Sequence, residues 1–325
     1  MPLNITVTKA LPTITPGSGS FVQRLINVSF TLANGQFAEG SAQGFPNTAA
    51  AGGANTVTLS GLRVSARINK AGGSVMGELD LKVWGMTKSL MDQLSTLGMI
   101  VQLIKRNTVT VTAGDAINGL GTVFIGSTTR CYGDFNAAPE VSFQVEAQTA
   151  AAGAVIPNPP ISISGSADVA TMLSGLATQL SIKFENNGVN IKISNAYYYG
   201  SALDQARAIV RDANINWNNG DDGVLAIWPK GSVRGGSVPF IAPGHGLIGY
   251  PSYTDNGIEL RCIFNPSIKL GGQIQVQSSL NEASKNWNVY GINHSLDSML
   301  PGGLWESRLY CYPIGAATPI LTPGT

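Results

Sequence analysis

"GINHSLDSMLPGGLWESRLYC", Gly291 to Cys311, holds His294, one of the two histidines in the chain, with Asp297 and Ser298 close by. The stretch reads either as a Ser/His/Asp catalytic centre or as a β-hairpin with polar residues at its turn. A nucleophile elbow needs G-x-S-x-G at a strand-to-helix turn. Here Ser298 runs into Met299-Leu300-Pro301-Gly302-Gly303, and no helical pattern follows. Catalytic triads are also usually assembled from distant segments. The hairpin is therefore the expectation. His294 is a strand residue making a side-chain hydrogen bond, Pro301-Gly302 is the turn, "GGLWESRLYCYP" is the next strand, and no catalytic residue is assigned.

Working outward, the whole final third is strand and turn. "GLIGYPSYTDNGIELRCIFNP", "KLGGQIQVQSS" and "KNWNVYGINHSLD" are separated by turns at Asp255-Asn256-Gly257, Asn265-Pro266 and Gly271-Gly272. That spacing predicts a barrel. Upstream the period changes. Asp168 can cap a helix with Val169, Met172, Leu173, Leu176 and Leu180 on one face, and "SIKFENNGVNIKIS" reads as a hairpin turning at Asn187-Gly188. Ser201 and Asp204 form a capping box ahead of Leu203, Ala206, Val210 and Ala213, followed by the hairpin "NINWNNGDDGVLAIWP". A helix and a hairpin used twice predict a small α+β domain. Before it, "AAAGAVIPNPP" (Ala150 to Pro160) reads as a linker.

The first 150 residues are again strand-like. "NITVTKA", "FVQRLINVSFTLA", "TVTLSGLRVSARI" (with a bulge expected at Gly61) and "VMGELDLKVWGM" precede a helix over Thr87 to Leu97, with Gly98 at its C′ position. "MIVQLIKR", "TVTVTAG", "TVFIGSTTRCYG" and "EVSFQVEAQT" follow, and the set predicts a closed antiparallel barrel. The expected fold class is mainly β with an α+β insertion. Two β-barrel domains (1–150 and 232–313) flank a helix–hairpin α+β domain (151–231), and a tail (314–325) follows.

Composition narrows the function. Only 12% of residues are charged, against 43% hydrophobic, and 39 are glycine. So little charge favours a subunit whose surface ends up against other protein. The formal net charge of +1 gives no electrostatic case for nucleic acid or anionic membrane. No apolar run is long enough for a transmembrane helix, and the N-terminus shows no secretion signal, so no membrane anchor is expected. Cys131, Cys262 and Cys311 are scattered and odd in number, which fits buried reduced thiols. His245 lacks ligand-type neighbours, so no metal is assigned. Asp221-Asp222 read as solvated turn residues rather than a calcium site. No cofactor is expected, because "GSGSF" near Gly17 does not complete a phosphate-binding fingerprint. Tyr197, Tyr198 and Tyr199 read as alternating buried and interface rings, with sugar stacking as the other possibility.

Three stretches carry a family resemblance: "TVFIGSTTRCYGDFNAAPEVSFQVEA" with Phe124 and Gly126, "SALDQARAIVRDANINWNNGDDGVLAIWPKG", and "GIELRCIFNPSIKLGGQIQVQSS" continued by "WNVYGINHSLDSMLPGGLWESRLYC". In the last, Phe264-Asn265-Pro266 opens the turn, His294 ends a strand and Trp305 begins one. Together with the order of parts they resemble the baseplate hub proteins of tailed bacteriophages, whose relatives form the hub half of type VI secretion spikes. The resemblance implies a structural, non-enzymatic homotrimer whose two tube-protein-like barrels per chain build a six-barrel ring. That ring adapts the hexameric tail tube, or distal tail protein, to a trimeric central spike and contacts other baseplate proteins. It implies assembly in the host cytoplasm and residence in the virion tail. No lysozyme or peptidase segment is expected in so short a chain. The competing expectations are a tail-associated cell-wall hydrolase and a carbohydrate-binding tail module.

Overall fold

The computed structural model describes residues 23–37, 55–73, 75–96, 107–115, 119–155, 157–220 and 222–316. The expected strands "NITVTKA" and "MIVQLIKR", the loop from Gly40 to Ala54, Gly98, Asp221 and the tail from 317 onward lie outside these residues. In chain order the elements are β1 (Arg24–Thr31), β2 (Thr56–Leu59), β3 (Arg63–Lys70), β4 (Glu78–Trp84), α1 (Lys88–Leu94), β5 (Thr108–Asp115), β6 (Gly119–Asp134) and β7 (Ser142–Gln148). Then come α2 (Ala151–Val155), β8 (Ile161–Asp168), α3 (Val169–Gln179), β9 (Lys183–Asn186), β10 (Lys192–Tyr198), α4 (Ala202–Asp212), β11 (Ile215–Asn219) and β12 (Val224–Pro229). The last six are β13 (Phe240–Ile241), β14 (Leu247–Thr254), β15 (Gly257–Ile263), β16 (Gln273–Val276), β17 (Asn286–Ser298) and β18 (Trp305–Pro313).

The fold is mostly β with an α+β insertion, as the period changes along the chain indicate. The strands of β4 show why. Leu79, Leu81 and Val83 are buried while Glu78, Asp80 and Lys82 are exposed, the period-2 alternation of a sheet with one wet face. β3 and β4 form the expected hairpin. Gly61 is not a bulge within one strand. At φ +71 it turns the chain between β2, which pairs with β1, and β3, which pairs with β4. Helix α1 is capped by Thr87, whose side chain accepts from Leu90 N. It ends at Leu94, a turn earlier than its apolar stripe suggests, because Ser95 takes an extended conformation and Thr96 turns to bond Cys131.

Two separate closed barrels were the expectation, and the structure corrects it. Among the described residues thirteen strands form one continuous sheet, in the order β14-β15-β18-β17-β3-β4-β7-β6-β5-β1-β2, with β16 and β13 branching from β17. Among those residues no ladder closes either half. The reason is the length of β17. Its first residues, Asn286–Asn288, pair with β16, whereas Ile292–Ser298 pair with Lys70–Val64 of β3. β18 lies along its other edge throughout. Local alternation reveals which face of a strand is buried and says nothing about which strand takes its edge. Each half nonetheless curls round its own core. Phe30, Ile68, Leu81, Phe124 and Phe143 lie in the first, and Ile258, Leu260, Ile274, Trp287 and Leu309 in the second. Phe30 and Phe143 meet edge to face at 6.2 Å. The curl of the first half brings the start of β1 back to the end of β17, where Ser298 Oγ donates to Arg24 O (2.9 Å) and Arg24 Nη1 to Gly303 O (3.0 Å).

The two halves share one wiring. In the first, the order β3-β4-β7-β6-β5 comes from a hairpin, an excursion, and a return by two antiparallel strands. In the second, β14-β15-β18-β17-β16 repeats that plan strand for strand.

The insertion also departs from expectation. Asn187-Gly188 does not join a hairpin. β9 runs parallel to β12, and β10 pairs antiparallel with β8. Asn186 explains the divergence, since its side chain both accepts from Val189 N (2.8 Å) and donates to Val189 O (2.9 Å), folding the chain away from β9. The repeat is therefore strand–helix–strand, β8-α3-β9 and then β10-α4-β11, and only β11–β12 is a hairpin. Both helices begin as read. Asp168 accepts from Thr171 N, and Ser201 and Asp204 form a reciprocal capping box, each worth about 1 kcal/mol. The Ala150–Pro160 linker is not wholly irregular. Its alanine run forms α2, and Ala151 is buried.

Leu296, on β17, is fully buried in the first core. Leu296→Ala should destabilise the protein by about 2–5 kcal/mol in chemical denaturation, as a single transition. Two transitions, with only the later half affected, would contradict the shared sheet.

Candidate functional site

The structure places His294, Asp297 and Ser298 on β17, His294 four residues before the strand's end rather than at it. His294 stands opposite Ser307 and Ile68, with Nδ1 2.8 Å from Ser307 Oγ and its ring edge-on to Phe264. Burial, reinforced by the charge of Lys70, holds its pKa well below the ordinary imidazole value. Asp297 projects from the opposite face, because strand side chains alternate. It takes a two-pronged bond from Arg67 (2.8 and 3.1 Å) and accepts from Leu304 N (2.8 Å), which closes the turn. Burial raises its pKa, but the bonds from Arg67, Ser65 and Leu304 outweigh that and leave it lowered. Ser298 is four residues from His294, roughly 13 Å along a strand, and is engaged with Arg24 O. The three side chains do not converge on one point.

The other sequence candidates resolve similarly. His245 is exposed in the Ala242–Gly246 turn, its ring against Phe240 at 5.4 Å. All three cysteines are free and buried. Burial pushes the Cys131 and Cys262 thiols up to about 12 and Cys311 well above its usual value, so none is a ready nucleophile. Among the described residues no three His, Cys, Asp or Glu side chains group as a metal site requires, and no helix is long and apolar enough to cross a membrane. Tyr198 is buried, donating to Asp212 Oδ2 (3.2 Å), while Tyr197 and Tyr199 are exposed with ring centres 6.1 Å apart. That is the alternation expected of the Tyr run.

Sequence reading missed the centre where the three cores meet. A cleft of about 50 Å³ is lined by Lys70 from the first half, Asn218 and Asp222 from the insertion, and Phe264, Lys269 and His294 from the second half. It is sized for a water or two rather than a substrate. Beside it lies Arg234, whose side chain is fully buried. The guanidinium grips Glu185 with two bonds (3.1 and 2.9 Å) and Asp222 with one (3.1 Å), and its backbone N–H donates to Gly271 O (2.7 Å). Asp222 is thus an ion-pair partner, not a solvated turn residue as expected. The Arg234 hydrogen bonds hold Glu185 below the usual carboxylate range. Burial opposes the charge of Arg234, and the two carboxylates more than offset it. Arg234 sits in "PKGSVRGGSVP", which carries no local signal of burial.

Some large apolar side chains are exposed at the sheet's margins. Tyr250 and Tyr253 stand on β14, the strand at one end of the sheet, and Phe135 follows β6.

This fold defines a doubled, edge-joined β architecture with an α+β insertion. The family Baseplate hub gp41 matches residues 27–299. The chain belongs to that family of bacteriophage tail baseplate hubs, which places it in the virion tail. No curated protein sequence matches it. Among solved structures it is similar to a tail protein from Neisseria meningitidis MC58, with a TM-score of 0.58 at 9% identity over 92% of this chain and 99% of that one. The 43 kDa tail protein of prophage MuSo2 from Shewanella oneidensis gives 0.54 at 10% identity, covering 93% and 100%. An Escherichia coli protein, described as a type VI secretion component similar to the T4 tail proteins gp27 and gp5, gives 0.54 at 10% identity, covering 80% and 77%. At such identities these likenesses show a shared fold.

Two outcomes test the buried groups. Below about pH 6.5 the unfolded chain protonates at His294 while the folded chain resists, so stability should fall as the pH drops from 6.5. His294→Gln should flatten the Tm-against-pH curve between pH 6.5 and 5. Removing one partner of a buried ion pair costs about 3–5 kcal/mol. The Glu185 side chain is 30% exposed, so Glu185→Gln should cost roughly 2–3 kcal/mol after solvent screening, measured by urea unfolding. A loss under 0.5 kcal/mol would contradict the role of the cluster.

Proposed function

We propose that this protein is the trimeric baseplate hub that joins the hexameric tail tube to the trimeric central spike. The observation that carries the reading is the doubled wiring: two halves with the same strand order in one continuous sheet. Three chains closing head to tail would set six such halves around an axis, threefold by chain and near-sixfold by half. A ring of that kind matches a sixfold tube on one face and a threefold spike on the other. The low charge of the chain suits permanent contacts, which are more apolar than ordinary surface. Under this reading the chain divides into a first hub domain (1–150), the α+β domain (151–231), a second hub domain (232–313) and a tail (314–325) that meets the spike. Assembly takes place in the host cytoplasm.

The role is structural. The His294 stretch is hairpin core, and wall-degrading activity belongs to other proteins. Light scattering on the full chain should rise with concentration to three times 33.9 kDa, and purified protein should leave peptidoglycan intact. A stable hexamer, or hydrolysis lost in His294→Gln, would overturn the reading.

A further inference from the structure

Among the described residues the insertion shares no ladder with the thirteen-strand sheet. Its strands form two sheets of their own, β10-β8 and β11-β12-β9, around a separate core. The β11–β12 hairpin reaches both halves. Ile215, Trp217, Leu225 and Ile227 turn into the core of the insertion, so Asn218 and Trp228 project from the opposite face. Trp228 closes on the second half so tightly that a Cβ on Gly271 would fall 2.3 Å from its ring. A Cβ on Gly223, in the turn of the hairpin, would fall 2.7 Å from Ile125 of the first half. Met76, also of the first half, packs on the insertion's core.

This docking strands polar groups. Asn218 Oδ1, Asn219 Oδ1 and Trp228 Nε1 meet no hydrogen-bond partner among the described residues, although these side chains belong to residues only 1%, 2% and 4% exposed. The Asn218 amide cannot turn round to mend this. Its Nδ2 donates to Asp222 Oδ1 (3.3 Å), and reversal would set two acceptors face to face. The bond from Asn219 Nδ2 to Val75 O fixes the second amide in the same way. A buried polar group without a partner loses free energy that water would restore. The docked arrangement thus carries a standing cost, concentrated on the hairpin that docking covers.

A strap opposes that cost. The chain leaves the insertion through residues 230–239, and Arg234 in the middle holds both bodies. Its side chain bonds Glu185 and Asp222 of the insertion, and its N–H donates to Gly271 O of the second half, the residue on which Trp228 closes. Gly235 N adds a bond to Asn187 Oδ1 (2.9 Å). We infer that Arg234 is the latch of an insertion with two positions. Latched, the charged bonds outweigh the stranded groups. Released, the insertion swings as a folded unit on residues 157–160 and 230–239. Asn218, Asn219 and Trp228 then meet water, and the thirteen-strand sheet keeps every rung. Latch and insertion belong to one chain, so this stands apart from the trimeric reading.

The test uses the full chain with spin labels on Ser194→Cys of β10 and Ser252→Cys of β14, both exposed. The native cysteines are buried and stay unlabelled. Pulsed EPR, on labelled chain diluted in unlabelled chain, reads the distance within one molecule. The parent should give one dominant distance. Glu185→Gln, which loosens the latch, should raise a second and broader distance roughly tenfold or more, with the circular dichroism of the sheet unchanged. Adding Asn218→Leu, close to asparagine in shape and without the stranded oxygen, should bring that population back down about fivefold, the worth of one unsatisfied group. A distance distribution that Glu185→Gln leaves unmoved would overturn the latch. A second population that Asn218→Leu leaves unchanged or raises would overturn the stranded groups as the force opposing it. A second distance that appears only as the circular dichroism of the sheet is lost would show the insertion unfolding with the halves, and would overturn the two positions.

Discussion

The β17–β3 ladder is the constraint on which the rest of the structure depends. It lets one thirteen-residue strand take part in two halves at once. Leu296 can then lie in the first core while Val289 and Ile292 lie in the second, although all three belong to one strand. Neither half exposes an edge at that seam, so the ladder also solves locally the problem that a sheet must solve at every margin. The insertion, the curl of β1 and the Ser298–Arg24 bond are arranged around this fixed line.

The insertion is held by polar means where the halves are held by a ladder. A wholly buried guanidinium is costly unless every donor is met. Glu185 and Asp222 belong to the insertion, and Gly271 to the second half, so the bonds of Arg234 tie the two together only in one docked geometry. Asn219 Nδ2, donating to Val75 O (2.7 Å), makes a similar tie to the first half. Apolar contact alone tolerates sliding. These bonds favour one orientation, and they converge on the same junction as the neutral His294.

The sequence was legible wherever structure is set by near neighbours. The alternation of β4, the β17–β18 hairpin and the Asp168 and Ser201 caps all lie within a few residues of their causes. Family membership was legible because it rests on the order of such parts. Three things were not. The closure of the halves was misread because an edge partner more than two hundred residues away leaves no trace in local period. The Asn187-Gly188 turn was recognised as a turn, yet the bonds of Asn186 to Val189 send its flanks into different sheets. Arg234 gave no signal, because a charged residue between glycines looks exposed until the carboxylates that bury it are placed in space. The missing elbow spoke against reading Ser298 as the nucleophile of a triad. That Asp297 lies on the face opposite His294, with Ser298 four residues further along the strand, needed the fold.

The shared strand also has a mechanical meaning. Force that draws the two halves apart along the axis of β17 must shear the rungs from Ile292 to Ser298 together, since they lie side by side under one load. Force at right angles would open them one after another, as a zipper opens. A ladder is strong in the first direction and weak in the second. The same rungs therefore make the molecule stiff along its strands and compliant across them, so its resistance to strain is directional before any neighbour is added.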